Sequence, residues 1–109
     1  MRIEFSQVGG IGYFPGLNKP VTVDVDRLDK EDAEELKRLV DAARFFDLPA
    51  TIGVPARGAA DYQHFILTVE EDDGRRQTIR MLVPIENPTL HELVRAIQKH
   101  IKAIRALSR

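Results

Sequence analysis

Few residues in this 109-residue chain could do chemistry, and none sits in a complete catalytic pattern. His91-Glu92 opens the His-Glu-x-x-His spacing that puts two imidazoles on one helix face around zinc, but position 95 is Arg95. His100 lies nine residues on, on roughly the opposite side of a helix at 100° per residue, and cannot share a metal with His91. His64 is a lone outward residue of a strand-like run, with no Ser, Asp or Cys partner legible nearby, and reads as exposed and polar. "GGIG" at 9–12 begins like a dinucleotide fingerprint, yet position 15 is Pro15 and no βαβ unit follows. No triad, metal set or cofactor motif can be assembled, so the chain is expected to be neither an enzyme nor a cofactor carrier.

Composition narrows the alternatives. There is no cysteine, which removes disulfides and thiolate zinc sites and suits a reducing compartment. Sixteen Lys+Arg against seventeen Asp+Glu leave a formal charge of −1, so no global field recruits nucleic acid or an anionic membrane. The basic residues near the end, Arg95, Lys99, Lys102, Arg105 and Arg109, could meet phosphate. They lack interleaved aromatics, however, and cations are favoured toward a helix C-terminus, so nucleic acid is a disfavoured partner. No apolar run approaches the roughly 20 residues of a membrane span. The start, "MRIEFSQ", alternates like a strand and lacks a secretion signal, which predicts a cytoplasmic protein.

The feature that does stand out is "GGIGYFPGLNKP", residues 9–20. It sets Ile11, Tyr13, Phe14 and Leu17 on a backbone rich in glycine and proline. It lies between two period-2 runs, Arg2–Val8 with Ile3 and Phe5 inward and Val21–Asp26 with Val21, Val23 and Val25 inward. Hairpin tips usually need two to five residues, so the excess length points to function. Some of these side chains, Phe14 or Leu17 singly, could instead fold back over the core.

The remaining elements follow from spacing. Asp29 is a candidate N-cap with Glu31, Asp32, Glu34 and Glu35 near the start of a helix, where the dipole favours negative charge. Leu36, Leu39, Val40, Ala43 and Phe46 form its inner stripe, and Leu48-Pro49 ends it. Residues 50–61 have no period and read as a second long loop. Phe65, Leu67 and Val69, then Ile79, Met81 and Val83, alternate on either side of Asp73-Gly74, a hairpin signal. A last helix begins at Asn87-Pro88 or at a Thr89…Glu92 capping box, with Leu90, Leu93, Val94, Ile97, Ile101 and Ile104 inward.

The order ββαββα over one domain, residues 1–109, predicts a two-layer α+β fold. Its four-stranded, mainly antiparallel sheet carries two helices on one face. Strand order and oligomeric state stay open. If each element reverses the chain and the first helix climbs back along the sheet, the loops at 9–20, 48–61 and 84–88 share one end. The Asp72–Gly74 turn then lies at the other.

The segments "VTVDVDRL", "EELKRLVDAARFFDLPA" and "YQHFILTVEEDDGRRQTIR", with "RIEF" and "GG" before them, resemble the emfourin family. These are small bacterial protein inhibitors of thermolysin-like, especially protealysin-like, metallopeptidases. The likeness runs over nearly the whole chain and is strongest over Val21–Pro49 and Tyr62–Arg80. It implies a metallopeptidase partner and two neighbouring loops, one presenting an aspartate to the catalytic zinc of the target and the other offering apolar side chains to its subsites. Asp61 is the only carboxylate within 50–61 and the first choice for the zinc-directed group, with Asp47 and Glu86 as substitutes; its alternative role is to cap a turn before the third strand. Ile11, Tyr13, Phe14 and Leu17 are the corresponding apolar residues. The competing reading is a non-inhibitory module that binds a protein or an RNA through the loops or the basic last helix.

Overall fold

The computed structural model describes residues 1–9, 20–53, 63–82 and 85–107. Strands β1 (Arg2–Gly9), β2 (Val21–Asp24), β3 (Thr51–Ile52), β4 (Gln63–Glu70) and β5 (Arg76–Leu82) form one sheet in the order β2-β1-β4-β5-β3. Every pairing is antiparallel except β3 with β5, which is parallel. The sheet is therefore five-stranded and mixed where four mainly antiparallel strands are expected. The extra strand is a pair of β-branched residues within the stretch that reads as loop, too short to show a period of two. It is held by the ladder and by the Arg80 N–H donating to Ala50 O at 2.8 Å.

Two helices, α1 (Lys30–Ala42) and α2 (Pro88–Leu107), complete the layers. One core cluster joins Ile3, Phe5, Val23, Phe65, Leu67, Val69, Ile79 and Met81 of the sheet to Leu36, Leu39 and Val40 of α1 and Leu90, Leu93, Val94, Ile97 and Ile101 of α2. The alternation along the strands and the stripes along both helices thus mark the buried faces, with Val21 and Ile104 partly covered and Val83 outside the described residues. The opposite sheet face is not uniformly wet. Ser6, expected on the solvent side, and Thr68 are both buried; Thr68 Oγ1 and Thr78 Oγ1 are 2.8 Å apart across the strands, which satisfies a hydroxyl that burial would otherwise penalise. Ser6 is opposite Ile66 in the ladder, where a short side chain is screened by larger neighbours.

The helix ends show local chemistry directly. Asn87 Oδ1 accepts the N–H groups of Thr89 and Leu90 at 3.0 and 3.1 Å, and Pro88 takes the first helical position, so α2 starts at the earlier of its two candidate sites. Asp29 is the N-cap residue of α1 but makes no side-chain capping bond; Glu31 and Asp32 still place negative charge in the first turn. α1 ends at Ala42, six residues before the expected stop at Leu48-Pro49. Arg44 adopts the left-handed conformation (φ 53°, ψ 50°) and a 3₁₀ turn, Phe45–Asp47, follows. That break shifts the register by one residue, so Phe45, 1% exposed, replaces Phe46 as the core residue. Phe46 is only partly buried, against the core edge, with the Arg75 guanidinium 4.8 Å from its ring centre.

α1 does not climb the length of the sheet. It follows the 3₁₀ turn Val25–Arg27 at the end of the edge strand β2 and packs on it, with Lys37 Nζ 3.6 Å from Asp26; the 3₁₀ turn Phe45–Asp47 after it packs on β5, near the other edge. Beyond it, Phe46 meets Arg75 of the β4–β5 turn, and Gln77 Nε2 donates to Leu48 O at 2.9 Å. Residues 49–53, running parallel to β5, make the ascent instead.

Candidate functional site: the loop-bearing end of the sheet

Strand register decides which connections share an end. In the β1–β4 ladder Gly9 is opposite Gln63, and the next rungs are Val8 with His64 and His64 with Leu82. Opposed residues of an antiparallel pair have Cα atoms about 4.5–5.5 Å apart. The last described residue before segment 10–19 and the first after segment 54–62 are therefore immediate neighbours. Both connections are rooted on one rung. Leu82 ends β5 at the same end, and Gly53 lies beside it.

Gly53 is specific to its place. Its φ is +92°, a conformation that favours glycine, and a Cβ there would stand 3.0 Å from Leu82 Cβ. The return of the first connection lies lower: Pro20 is exposed, and Val21 pairs with Phe5, four rungs below Gly9 or roughly 13 Å at 3.3 Å per residue. Among the described residues, β1 above Phe5 has no β2 partner.

Ile11, Tyr13, Phe14, Leu17 and Asp61 lie outside the described residues. The substitutes can be placed. Asp47 is in the 3₁₀ turn after α1, 3.4 Å from Arg44 and on the level of Arg75 and Gln77. That is five residues of β5, roughly 16 Å, below Leu82, so Asp47 is not at the loop end. The expected placement failed because α1 crosses the sheet instead of ascending it. Glu86 is exposed and stands four residues beyond Leu82, between the rim and the cap of α2.

His64 lies on the rim itself. It is half-buried, contrary to its reading as an exposed residue, and burial together with the charge of nearby Arg80 lowers its pKa below the usual 6.5, favouring the neutral ring. A single alternating strand does not reveal this, because burial depends on neighbours that the strand's own pattern does not contain. Among the described residues no group of three or more His, Cys, Asp or Glu could hold a metal ion, and no helix is long and apolar enough to cross a membrane.

The opposite end is closed by charge. The Met1 ammonium donates to Asp72 Oδ1 at 2.9 Å and to Asp26 Oδ2 at 3.2 Å, and Asp26 also faces Lys37. Partial burial opposes the ammonium, but the bonds to Asp72 and Asp26 outweigh it and raise its pKa above 8.0. The hydrogen bond from that ammonium, and then its charge, lower the pKa of Asp26. In the turn, the Arg75 N–H and guanidinium both donate to Asp73.

The described residues form a two-layer α+β body in which β1 ends and β4 begins on one rung, where the two long connections are rooted. The chain matches the Emfourin family model over residues 5–98, most of its length, and belongs to the Emfourin family, a family of protease inhibitors. No curated protein and no solved structure matched.

Proposed function

We propose that the chain inhibits thermolysin-like, protealysin-like zinc metallopeptidases by entering the active-site cleft with the two connections rooted at Gly9 and Gln63. The single observation that carries the reading is the Gly9–Gln63 rung, which joins the apolar segment and the segment containing Asp61 at one end of the sheet. In sequence Asp61 is two residues before Gln63, and two trans peptide units reach at most about 7 Å. A carboxylate on that short a tether and a set of large apolar side chains on the neighbouring connection match the two needs of such a cleft. A catalytic zinc with three protein ligands keeps an open position, and a carboxylate oxygen at about 2.0–2.2 Å takes it in place of water. Ile11, Tyr13, Phe14 and Leu17 fill subsites that otherwise hold substrate side chains, the aromatics acting as anchors. Family membership supports the inhibitor role and the rigid rung supports the joint presentation; the chain turns over no substrate in this reading.

The test is inhibition of a thermolysin-like peptidase by the wild type and by Asp61→Ala and Phe14→Ala. The wild type is expected to inhibit, and each variant to lose affinity by tenfold or more, the scale of an anchor residue at an interface. Inhibition by Asp61→Ala at the wild-type level removes the zinc-directed role. A wild type that leaves the peptidase active but retains nucleic acid in a steeply salt-dependent way supports the interaction-module reading instead.

A further inference from the structure

We propose that His64 is an acid-sensitive latch at the loop roots: protonation of its ring loosens the β1–β4–β5 ladder where both long connections are rooted, so that a falling pH releases the bound peptidase. The loosening is a property of this chain alone, while the identity of what is released rests on the inhibitor reading above. His64 is the second residue of β4, one rung inside Gly9–Gln63, with Val8 opposite it on β1 and Leu82 opposite it on β5. Phe65, Leu67 and Val69 belong to the core beneath the helices, so alternation puts His64 on the other face of the sheet, with Ile66 next to it along the strand. A histidine on a solvated face offers its nitrogens to water. Here both ring nitrogens are shielded from solvent, and the neighbouring Ile66 and Leu82 are themselves half-buried.

A cation formed at this position meets no compensating charge close by among the described residues. From β5 the nearest charged side chain on the same face is Arg80, diagonal to His64 and of like sign. From β1 it is Glu4, four residues below Val8 and so roughly 13 Å along the strand, with the uncharged Ser6 between them. From β4 itself it is Glu70, six residues on or roughly 20 Å away. β3 supplies only Thr51 beside Arg80, and β2 reaches no higher than Val21 opposite Phe5. Burial first, and then the Arg80 charge, hold the ring to its neutral form.

A proton added to a shielded nitrogen creates a charge out of reach of water, and the ring escapes that cost by turning outward. The movement uncovers Ile66 and Leu82 and loosens the packing between β1, β4 and β5 one rung from the end of the ladder. Such ends open first, because few contacts must be broken there. Gly9 and Gln63, which set the spacing of the two connections, are that end, and Gly53 leans on the same Leu82. Linkage fixes the sign. The closed rim binds the His64 proton more weakly than the open one, so the contribution of the neutral ring is present above 6.5 and is lost as pH falls through the lowered value.

The experiment compares wild type, His64→Gln and Arg80→Gln by two readouts, with circular dichroism to confirm folding. The first is hydrogen-exchange protection of the free protein at the amides of residues 7–9 and 63–65, against Leu67 in the middle of β4. Between about pH 7.5 and about pH 5.5 the wild-type rim is expected to lose protection roughly three- to tenfold, the scale of a pKa difference of up to one unit, while Leu67 keeps its own. His64→Gln is expected to show no such loss. Arg80→Gln keeps the ring but removes the like charge, so its loss is expected at higher pH, and it decides the matter if His64→Gln does not fold. The second readout is the inhibition constant against a thermolysin-like peptidase over the same range, taken as the ratio of wild type to His64→Gln so that the peptidase's own ionisations cancel. That ratio is expected to rise roughly three- to tenfold toward acid. A flat ratio while the wild type inhibits overturns the proposal. So does equal loss of rim protection in wild type and His64→Gln, or a loss that Arg80→Gln does not move. A peptidase that the wild type leaves active at every pH overturns the inhibitor reading instead, and the exchange measurement still decides the loosening.

Discussion

The two ends of the sheet are built on opposite terms. At one end short connections are tied by charge: Met1 to Asp26 and Asp72, Asp26 to Lys37, Arg75 to Asp73, Arg75 over Phe46. At the other, β1 ends and β4 begins on the Gly9–Gln63 rung, and a glycine in a conformation that other residues rarely adopt abuts Leu82. Ion pairs of exposed groups add little to stability, so the closed end is not what holds the fold. The shared core does that. On the proposed inhibitor reading the difference is one of purpose: the core holds the strands in register, so the loop roots at the far end are kept at a set spacing, which would lower the ordering cost of binding.

The contrast breaks at once if the core that connects the ends is weakened. Leu67 is fully buried in the central strand β4, and Leu67→Ala is expected to cost about 2–5 kcal/mol in denaturant unfolding and to reduce inhibition only through the folded fraction. At the loop end, Gly53→Ala forces a side chain into a φ that favours glycine and against Leu82. A loss of about 1–2 kcal/mol is expected, together with weaker inhibition, because the root of the Asp61 segment must shift. A Gly53→Ala protein with wild-type stability and potency shows that the rim geometry is not needed.

The smaller effects are pH-dependent and separate the ends. His64 has a pKa lowered in the folded state, so its contribution is present above 6.5, the unfolded value, and is lost as pH falls through the folded one. His64→Gln is expected to flatten the decline of the thermal midpoint just below pH 6.5. At the closed end Asp26 contributes above its unfolded value of 3.8 and loses that contribution as pH falls through its lowered folded pKa. The Met1 ammonium contributes below 8.0 and loses it as pH rises through its raised one. The difference in thermal midpoint between wild type and Asp26→Asn is therefore expected to be greatest between those limits and to shrink on both sides, with inhibition at pH 7 unchanged. A loss of inhibition in Asp26→Asn removes the division of labour between the ends.

Much of the frame was legible because it rests on periodicity. The inward faces of β1, β4 and β5 and the stripes of both helices are repeating patterns, and a repeat survives without knowledge of the neighbours. What was not legible depended on single residues or on distant partners. Arg44 in a left-handed conformation has no sequence marker such as glycine, and it moved Phe45 into the core in place of Phe46. β3 is two residues long and exists only because β5 offers it an edge. The path of α1 across the sheet, which removed Asp47 from the loop end, is set by how the helix packs and not by its own pattern. The shared end of the two long connections was deduced from chain reversals, and the Gly9–Gln63 rung supports it although one of those reversals was drawn along the wrong element.

The most direct measurement is the visible absorption spectrum of a thermolysin-like peptidase carrying cobalt(II) in place of zinc, titrated with this protein and with its Asp61→Ala variant. Cobalt reports its own ligands, so direct coordination by a carboxylate from the loop end predicts a change in the d–d bands that saturates at one inhibitor per peptidase and is absent with Asp61→Ala. An unchanged spectrum under full inhibition by the wild type, or the same change with Asp61→Ala, contradicts it.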